Sequence, residues 1–244
     1  MGHIVFKHVT RRFDNGHEAL ADVSAEFEDG SMTFLTGHSG AGKSTFLKLL
    51  IRADVPTRGQ ILVNDVNIGQ LPARRLPGYR RHLGVVFQDH HLLAERTVFD
   101  NVATPLRVAG MGEKEVGRRV RAVLTRVELL GKEKLFPRHL STGEQQRVGI
   151  ARAVVTRPKV LLADEPTGNL DPELSRSIMD LFARFNQVGT TVIVASHDIS
   201  LIEDMGCRIL HLEQGRIVSD QVGRAGFAAP GTGEAEPAGA VGGP

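Results

Sequence analysis

Apolar residues along this chain follow two rhythms. Short runs at residues 33–36, 60–63, 84–87, 159–163, 190–195 and 207–212 have the length and aliphatic content of buried strands. The last turns through Glu213-Gln214-Gly215 into Arg216-Ile217-Val218, which reads as a hairpin. Residues 43–52 read as a helix fed by the first strand. Between 88 and 140, Val116, Val120, Val123, Leu124, Val127 and Leu130 recur at helical spacing with Arg and Glu between them. That predicts a mostly helical insertion, about residues 89–157. Leu174, Ile178, Leu181, Phe182 and Phe185 predict another helix, opened by Asp171 as cap and Pro172 at its first position. Strands alternating with helices predict an α/β fold with a largely parallel sheet.

Length and composition add boundaries. A chain of 244 residues can bury a substantial core as one α/β domain, taken as residues 1–222. From 223 to 244, Gly, Ala and Pro supply 16 of 22 residues, too few apolar side chains to offset the entropy of ordering, so a disordered tail is expected there. No apolar stretch approaches the roughly 18 residues of a membrane span, so a membrane role would come through a partner. The first residues lack an export signal, which makes the cytoplasm the expected compartment. A net charge of +2 gives no footprint for nucleic acid. Cys207, the single cysteine, excludes an internal disulfide and is expected to pack in a strand. The basic groups Arg74-Arg75 with Arg80-Arg81-His82, and Arg118-Arg119-Arg121, read as solvated faces. Contact of the first with anionic lipid or a membrane partner is the rival reading.

Four strand ends carry polar chemistry. Gly37-His38-Ser39-Gly40-Ala41-Gly42-Lys43-Ser44 fits the phosphate-loop pattern, with Thr45 following. Its glycines let backbone N–H groups converge on phosphate oxygens; Lys43 reaches the terminal phosphates and the Ser44 hydroxyl can ligate magnesium. Asp164 and Glu165 close an apolar strand where open α/β sheets bind ligands. Asp164 would hold magnesium through water, and Glu165 would orient or deprotonate an attacking water. Gln88 and His197 follow the strands at 84–87 and 190–195. His90-His91 and the other histidines have no acidic or Cys partners at ligand spacing, so no protein-only metal site is assigned. Finally, Leu140-Ser141-Thr142-Gly143-Glu144 leads into a helix, making a second anion-binding terminus. A chain with one phosphate cradle has little use for another in the same site, so two copies are expected to face each other.

Together these residues, from about 4 to 218, resemble the ATP-binding cassette (ABC) ATPases. The resemblance implies a P-loop NTPase fold with a mixed, largely parallel sheet, an N-terminal antiparallel β part and a helical subdomain. It implies ATP and Mg2+ as ligands, with ATP between the phosphate loop of one copy and Ser141, Gly143 and Glu144 of the other. Phe13 matches the adenine-stacking aromatic, more often Tyr in the family. Gln88 is similar to the glutamine that joins magnesium and the attacking water to a membrane subunit, His197 to the switch histidine at the γ-phosphate, and Asp171 to the residue linking the two sites. Thr36 to Thr45, Phe87-Gln88-Asp89-His90-His91-Leu92-Leu93, Arg96-Thr97-Val98-Phe99-Asp100-Asn101-Val102 and Gly143 to Val154 are similar to the family's cell-division branch. That branch implies a homodimer on ATP binding, an integral membrane partner resembling FtsX, contact with the FtsZ machinery, control of cell-wall hydrolysis and a place on the cytoplasmic face of the inner membrane. An ATPase subunit for lipoprotein release or small-molecule transport is the alternative. Repair-type or ribosome-associated cassettes are disfavoured, because neither a long coiled coil nor a second cassette is present. Thr142 departs from the family's Gly. If its φ is negative, the Ser141 hydroxyl and Gly143 amide stay in place and function is retained.

Overall fold

The computed structural model describes residues 2–168 and 170–221; Asn169 and the tail expected at 223–244 lie outside the described residues. In chain order the elements are β1 (Ile4–Arg12), β2 (Glu18–Phe27), β3 (Met32–Thr36), α1 (Lys43–Leu50), β4 (Arg58–Val63), β5 (Val66–Asn67), α2 (Leu76–Arg80) and β6 (Leu83–Val86). There follow α3 (Val98–Val108), α4 (Glu113–Arg126), α5 (Thr142–Val154), β7 (Val160–Asp164), α6 (Pro172–Gln187), β8 (Thr191–Ala195), α7 (Ile199–Asp204), β9 (Arg208–Glu213) and β10 (Arg216–Gln221).

Six strands form the sheet that carries the site, in the order β10-β9-β3-β8-β7-β6. β3 pairs in parallel with β8 and β9, and β7 with β6 and β8; only β10 runs antiparallel, at one edge. Every residue of β3 and β8 is buried, as expected for strands covered on both faces. Parallel pairing puts the C-terminal ends of β3, β6, β7 and β8 at one edge of the sheet. A second, antiparallel sheet has the order β2-β1-β4-β5. Phe6 of β1 and Phe27 of β2 pack on Phe46 of α1, at centroid distances of 4.0 Å stacked and 5.8 Å edge-on. This contact seats the phosphate-loop helix against the antiparallel sheet.

On the other side α3, α4 and α5 pack together. Val116, Val120 and Leu124 of α4 are buried as the helical spacing predicts. Leu130 differs: it lies in a 3-10 turn past the end of α4 and is 43% exposed, because the helix ends before the stripe can carry it inward. Asn101, fully buried in α3, accepts from Leu93 N at 2.8 Å and donates to the carbonyls of Leu93, Arg96 and Thr97 at 3.0–3.1 Å. One amide thus satisfies a whole loop of backbone.

Cys207 is half-buried just ahead of β9 rather than within a strand, with its thiol directed at Met205 O. The first basic group divides. Arg80 donates to the carbonyls of Ile51 and Arg52 at 3.0 and 2.9 Å, and the Tyr79 hydroxyl to Leu50 O at 2.5 Å, so both serve the C-terminal end of α1. In the second group Arg118 and Arg119 share Glu115, and Arg121 meets Glu133. No helix among the described residues is long and apolar enough to cross a membrane.

Candidate nucleotide site

The loop from Gly37 to Ser44 joins the end of β3 to α1. Gly37, Gly40 and Gly42 have φ of 140°, 80° and 110°, values that side-chain-bearing residues rarely adopt. Two of these glycines are also sterically required: a Cβ on Gly37 would lie 2.2 Å from Leu212 O, and one on Gly42 2.5 Å from Ala19 O. The loop is therefore wedged between β9 and β2. No side chain caps the start of α1, which leaves its first N–H groups for an anion. The buried Lys43 ammonium donates to Gly37 O at 2.7 Å and His38 O at 3.3 Å, and lies 3.4 Å from Glu165 Oε1.

Asp164 ends β7. Its Oδ1 is buried and has no hydrogen-bond partner among the described residues. Burial pushes its carboxyl above the usual range, partly opposed by a hydrogen bond with Ser44. The next residue, Glu165, turns into the left-handed region with φ 46°. That twist directs its carboxylate between Lys43 and His197, whose Nδ1 is 2.8 Å from Glu165 Oε2. His197 follows β8, and Gln88 sits two residues past β6, which ends at Val86 rather than Phe87. Four strand ends thus meet around one cavity of about 580 Å³, lined by His38, Ser39, Thr45, Gln88, Glu165 and His197 with the rest of the loop.

His211 and Ile199 line the same cavity and escaped the sequence reading. β9 brings His211 beside Thr36 in register, with Thr36 Oγ1 and His211 Nδ1 at 2.9 Å. Arg152 of α5 was missed as well. Just past Gln88 the backbone passes through two left-handed residues, His90 (φ 53°) and His91 (φ 45°), and the Arg152 guanidinium donates to both carbonyls, at 2.6 and 2.7 Å. Burial lowers the His90 pKa, favouring the neutral ring.

Phe13, in the β1–β2 turn, is held outside this cavity with Arg11 over its ring at 4.7 Å and His17 stacked at 6.2 Å. Ser141, Gly143, Glu144 and Asp171 do not line the cavity either. Ser141 caps α5: its Oγ accepts from Glu144 N at 3.3 Å while Glu144 Oε2 accepts from Ser141 N at 3.0 Å, a reciprocal capping box. Glu144 also pairs with Lys132, which holds its carboxyl below the usual range together with the Ser141 backbone. Thr142 is the first helical residue, is exposed and lies outside the left-handed region. Gly143 is close-packed: a Cβ there would lie 2.1 Å from Leu174 Cδ2 at the start of α6. Asp171 caps α6 through Leu174 N at 2.9 Å.

The family model described as ABC transporter matches residues 20–168. The chain is 53% identical over 214 residues to the cell division ATP-binding protein FtsE of Escherichia coli (strain K12), a match covering 88% of this chain and 96% of that protein. The chain belongs to the ABC transporter family. It is an ABC ATPase with the P-loop α/β fold of that family. The FtsE protein of Mycobacterium tuberculosis is 48% identical over 219 residues, 89% of this chain and 95% of that protein. Among solved ABC cassettes, the dimeric structure of MJ0796 superposes with a TM-score of 0.84 at 34% identity, covering 91% of this chain and 99% of that one. A second structure of MJ0796, a dimer in a post-hydrolysis state bound to ADP and Pi, gives a TM-score of 0.83 at 33% identity, with 91% and 99% covered.

Proposed function

We propose that this ABC ATPase is the ATP-hydrolysing subunit of a membrane-associated cell-division complex and works as an ATP-driven dimerisation switch. The observation that carries the reading is the division of the site. The phosphate loop, Gln88, Glu165 and His197 share one cavity, whereas Ser141 and Gly143 open the α5 N-terminus elsewhere on the same chain. A second copy would complete the cavity with that terminus, as dimerisation of the related cassettes supports.

ATP would lie on the N–H groups of residues 37–45, with Lys43 at the terminal phosphates and Phe13 against the adenine. Asp171 would link the two sites. The residues present suit magnesium: Ser44 offers a hydroxyl, and Asp164 a buried carboxylate oxygen with no hydrogen-bond partner among the described residues. Ser44, Asp164 through water, and Gln88 would hold it, and it would supply charge neutralisation across the phosphates. Glu165 would take up or orient the attacking water, while His197, hydrogen-bonded to Glu165, would move with the γ-phosphate. Ser141 gives its acceptor lone pair to the Glu144 N–H and keeps its own proton to donate across the interface. ATP binding then closes two copies, and hydrolysis removes the bridge.

The cassette would comprise residues 1–222, with a helical subdomain at about 89–157. An FtsX-like integral membrane partner would dock over the cleft near Gln88 and the helical insertion. Through it the chain would act at the inner face of the inner membrane on cell-wall hydrolysis, with contact to the FtsZ machinery. The cell-division part of this reading is supported by relatives named cell division ATP-binding protein FtsE. In the test, Glu165→Gln should keep ATP binding, lose turnover and accumulate dimers with ATP in size-exclusion chromatography. Unchanged turnover would remove Glu165 from its role. Copurification of a transport permease instead of an FtsX-like protein would remove the cell-division role.

A further inference from the structure

At the end of the parallel sheet opposite the phosphate loop, a cavity of about 430 Å³ lies between α4, the C-terminal ends of α5 and α6, and the segment entering β7. Val123, Val155 and Phe185 give it an apolar wall. All of its charged lining is cationic: Arg118, Arg119, Arg126, Arg157 and Lys159, with no Asp or Glu. Arg118 and Arg119 share the Glu115 carboxylate outside the cavity. Arg126, Arg157 and Lys159 have no side-chain hydrogen bond or ion pair among the described residues.

Two forces bear on such a cluster. Helix C-termini attract cations, and Arg126 stands in the last turn of α4, so part of the charge answers the helix ends. That relief is small, about 0.3–1 kcal/mol per site when exposed, and it does not explain Arg157. This residue follows α5 in the left-handed conformation, with φ 56°. The conformation costs a side-chain-bearing residue roughly 1–2 kcal/mol, and Arg157 stands on the cavity lining in it.

We propose that this cavity binds a phosphate-type dianion, a phosphomonoester or pyrophosphate group, either free or carried by a lipid headgroup. Guanidinium forks match phosphate oxygens in pairs, the volume suits a small ligand, and the apolar wall would accept whatever carries the phosphate. The site is separate from the nucleotide cavity. β7 runs from Val160 beside the cationic cavity to Asp164, a span of roughly 13 Å. α5 joins the same two regions, with Val154 lining the cavity and Ser141 capping its other end.

The test is calorimetric titration of sodium pyrophosphate into the Lys43→Ala protein, which disarms the phosphate loop. In parallel, cosedimentation is measured with phosphatidylcholine vesicles with and without phosphatidic acid. Saturable binding is expected in at least one arm; soluble pyrophosphate alone identifies a free ligand, and vesicles alone a headgroup. Adding Arg126→Ser with Arg157→Asn should weaken that binding on the order of tenfold or more, the effect of losing a charge-assisted hydrogen bond. Asn suits the left-handed position, so folding is kept, and the urea midpoint verifies it. Arg74→Ser with Arg75→Ser, in a neighbouring groove, should change nothing. Absence of binding in both arms, or binding that the Arg126 and Arg157 substitutions leave unaltered, overturns the proposal. A lowered urea midpoint in the double variant, with no anion bound by the parent protein, assigns these arginines to the helix ends alone.

Discussion

Replacing Arg152 with Ala should loosen the segment that carries Gln88. The guanidinium holds the carbonyls of His90 and His91 from α5, and both histidines are left-handed. That conformation costs roughly 1–2 kcal/mol per residue. A hydrogen bond from a charged donor returns about 1.5–3 kcal/mol. Two of them, about 3–6 kcal/mol together, offset the roughly 2–4 kcal/mol strain of two such residues. Without the guanidinium the strained turn has less to hold it, and relaxation of the segment recovers part of the loss. A fall of about 2 kcal/mol in unfolding free energy is therefore expected for Arg152→Ala, and about half that for Arg152→Lys, whose ammonium lacks the planar fork that spans both carbonyls. Urea denaturation measures the total, and amide hydrogen exchange over residues 88–93 locates it. Because Gln88 is displaced while the phosphate loop is untouched, turnover should drop with ATP affinity retained. Unchanged exchange at 88–93, with stability within about 0.5 kcal/mol of the parent, would refute the reasoning.

Asp164→Asn should stabilise the ligand-free protein near neutral pH while abolishing stabilisation by Mg2+ with ATP, both read as shifts in Tm. Burial holds the folded Asp164 pKa above its unfolded value. Its contribution is therefore favourable in acid and is lost as pH rises through the folded pKa, so the variant's advantage should shrink toward acid pH; a destabilised variant at neutral pH would contradict this. Thr142→Gly should leave ATP-dependent dimerisation nearly unchanged, because Thr142 already has helical backbone angles; a large gain in light scattering would show the signature to be impaired. Asn101→Ala strips partners from Leu93, Arg96 and Thr97 and should cost about 2–3 kcal/mol in urea denaturation. Asn101→Asp, which keeps an acceptor for Leu93 N but loses both donors, should not rescue it.

The parallel strands were legible because strands buried on both faces become unbroken apolar runs, as β3, β7 and β8 show. The stripe of α4 was legible for the same reason in helical period, until the helix ended short of Leu130. β1 and β2 gave weaker signals: one face of each is exposed, and their pairing shifts register near left-handed His8 and Asp22. Motif residues at strand ends could be placed because topology alone brings strand ends together. Arg152 and His211 could not, since each acts through a neighbour far away in sequence. The carbonyls held by Arg152 lie 61 and 62 positions earlier, and the Thr36 partner of His211 lies 175 positions earlier. Gly143 was legible as an amide at a helix start, but not its close packing against Leu174, which lies 31 positions later.

The capping box at Ser141 and Glu144 bears on speed as well as geometry. Its two reciprocal hydrogen bonds and the Lys132 pair fix the α5 terminus within a single protomer. The conformational entropy of that terminus is lost when the chain folds, long before a second copy arrives. Encounter then becomes the docking of a preformed surface, limited by orientation and diffusion rather than by local folding. Nucleotide occupancy, not the supply of competent signatures, should therefore set how fast the pair closes.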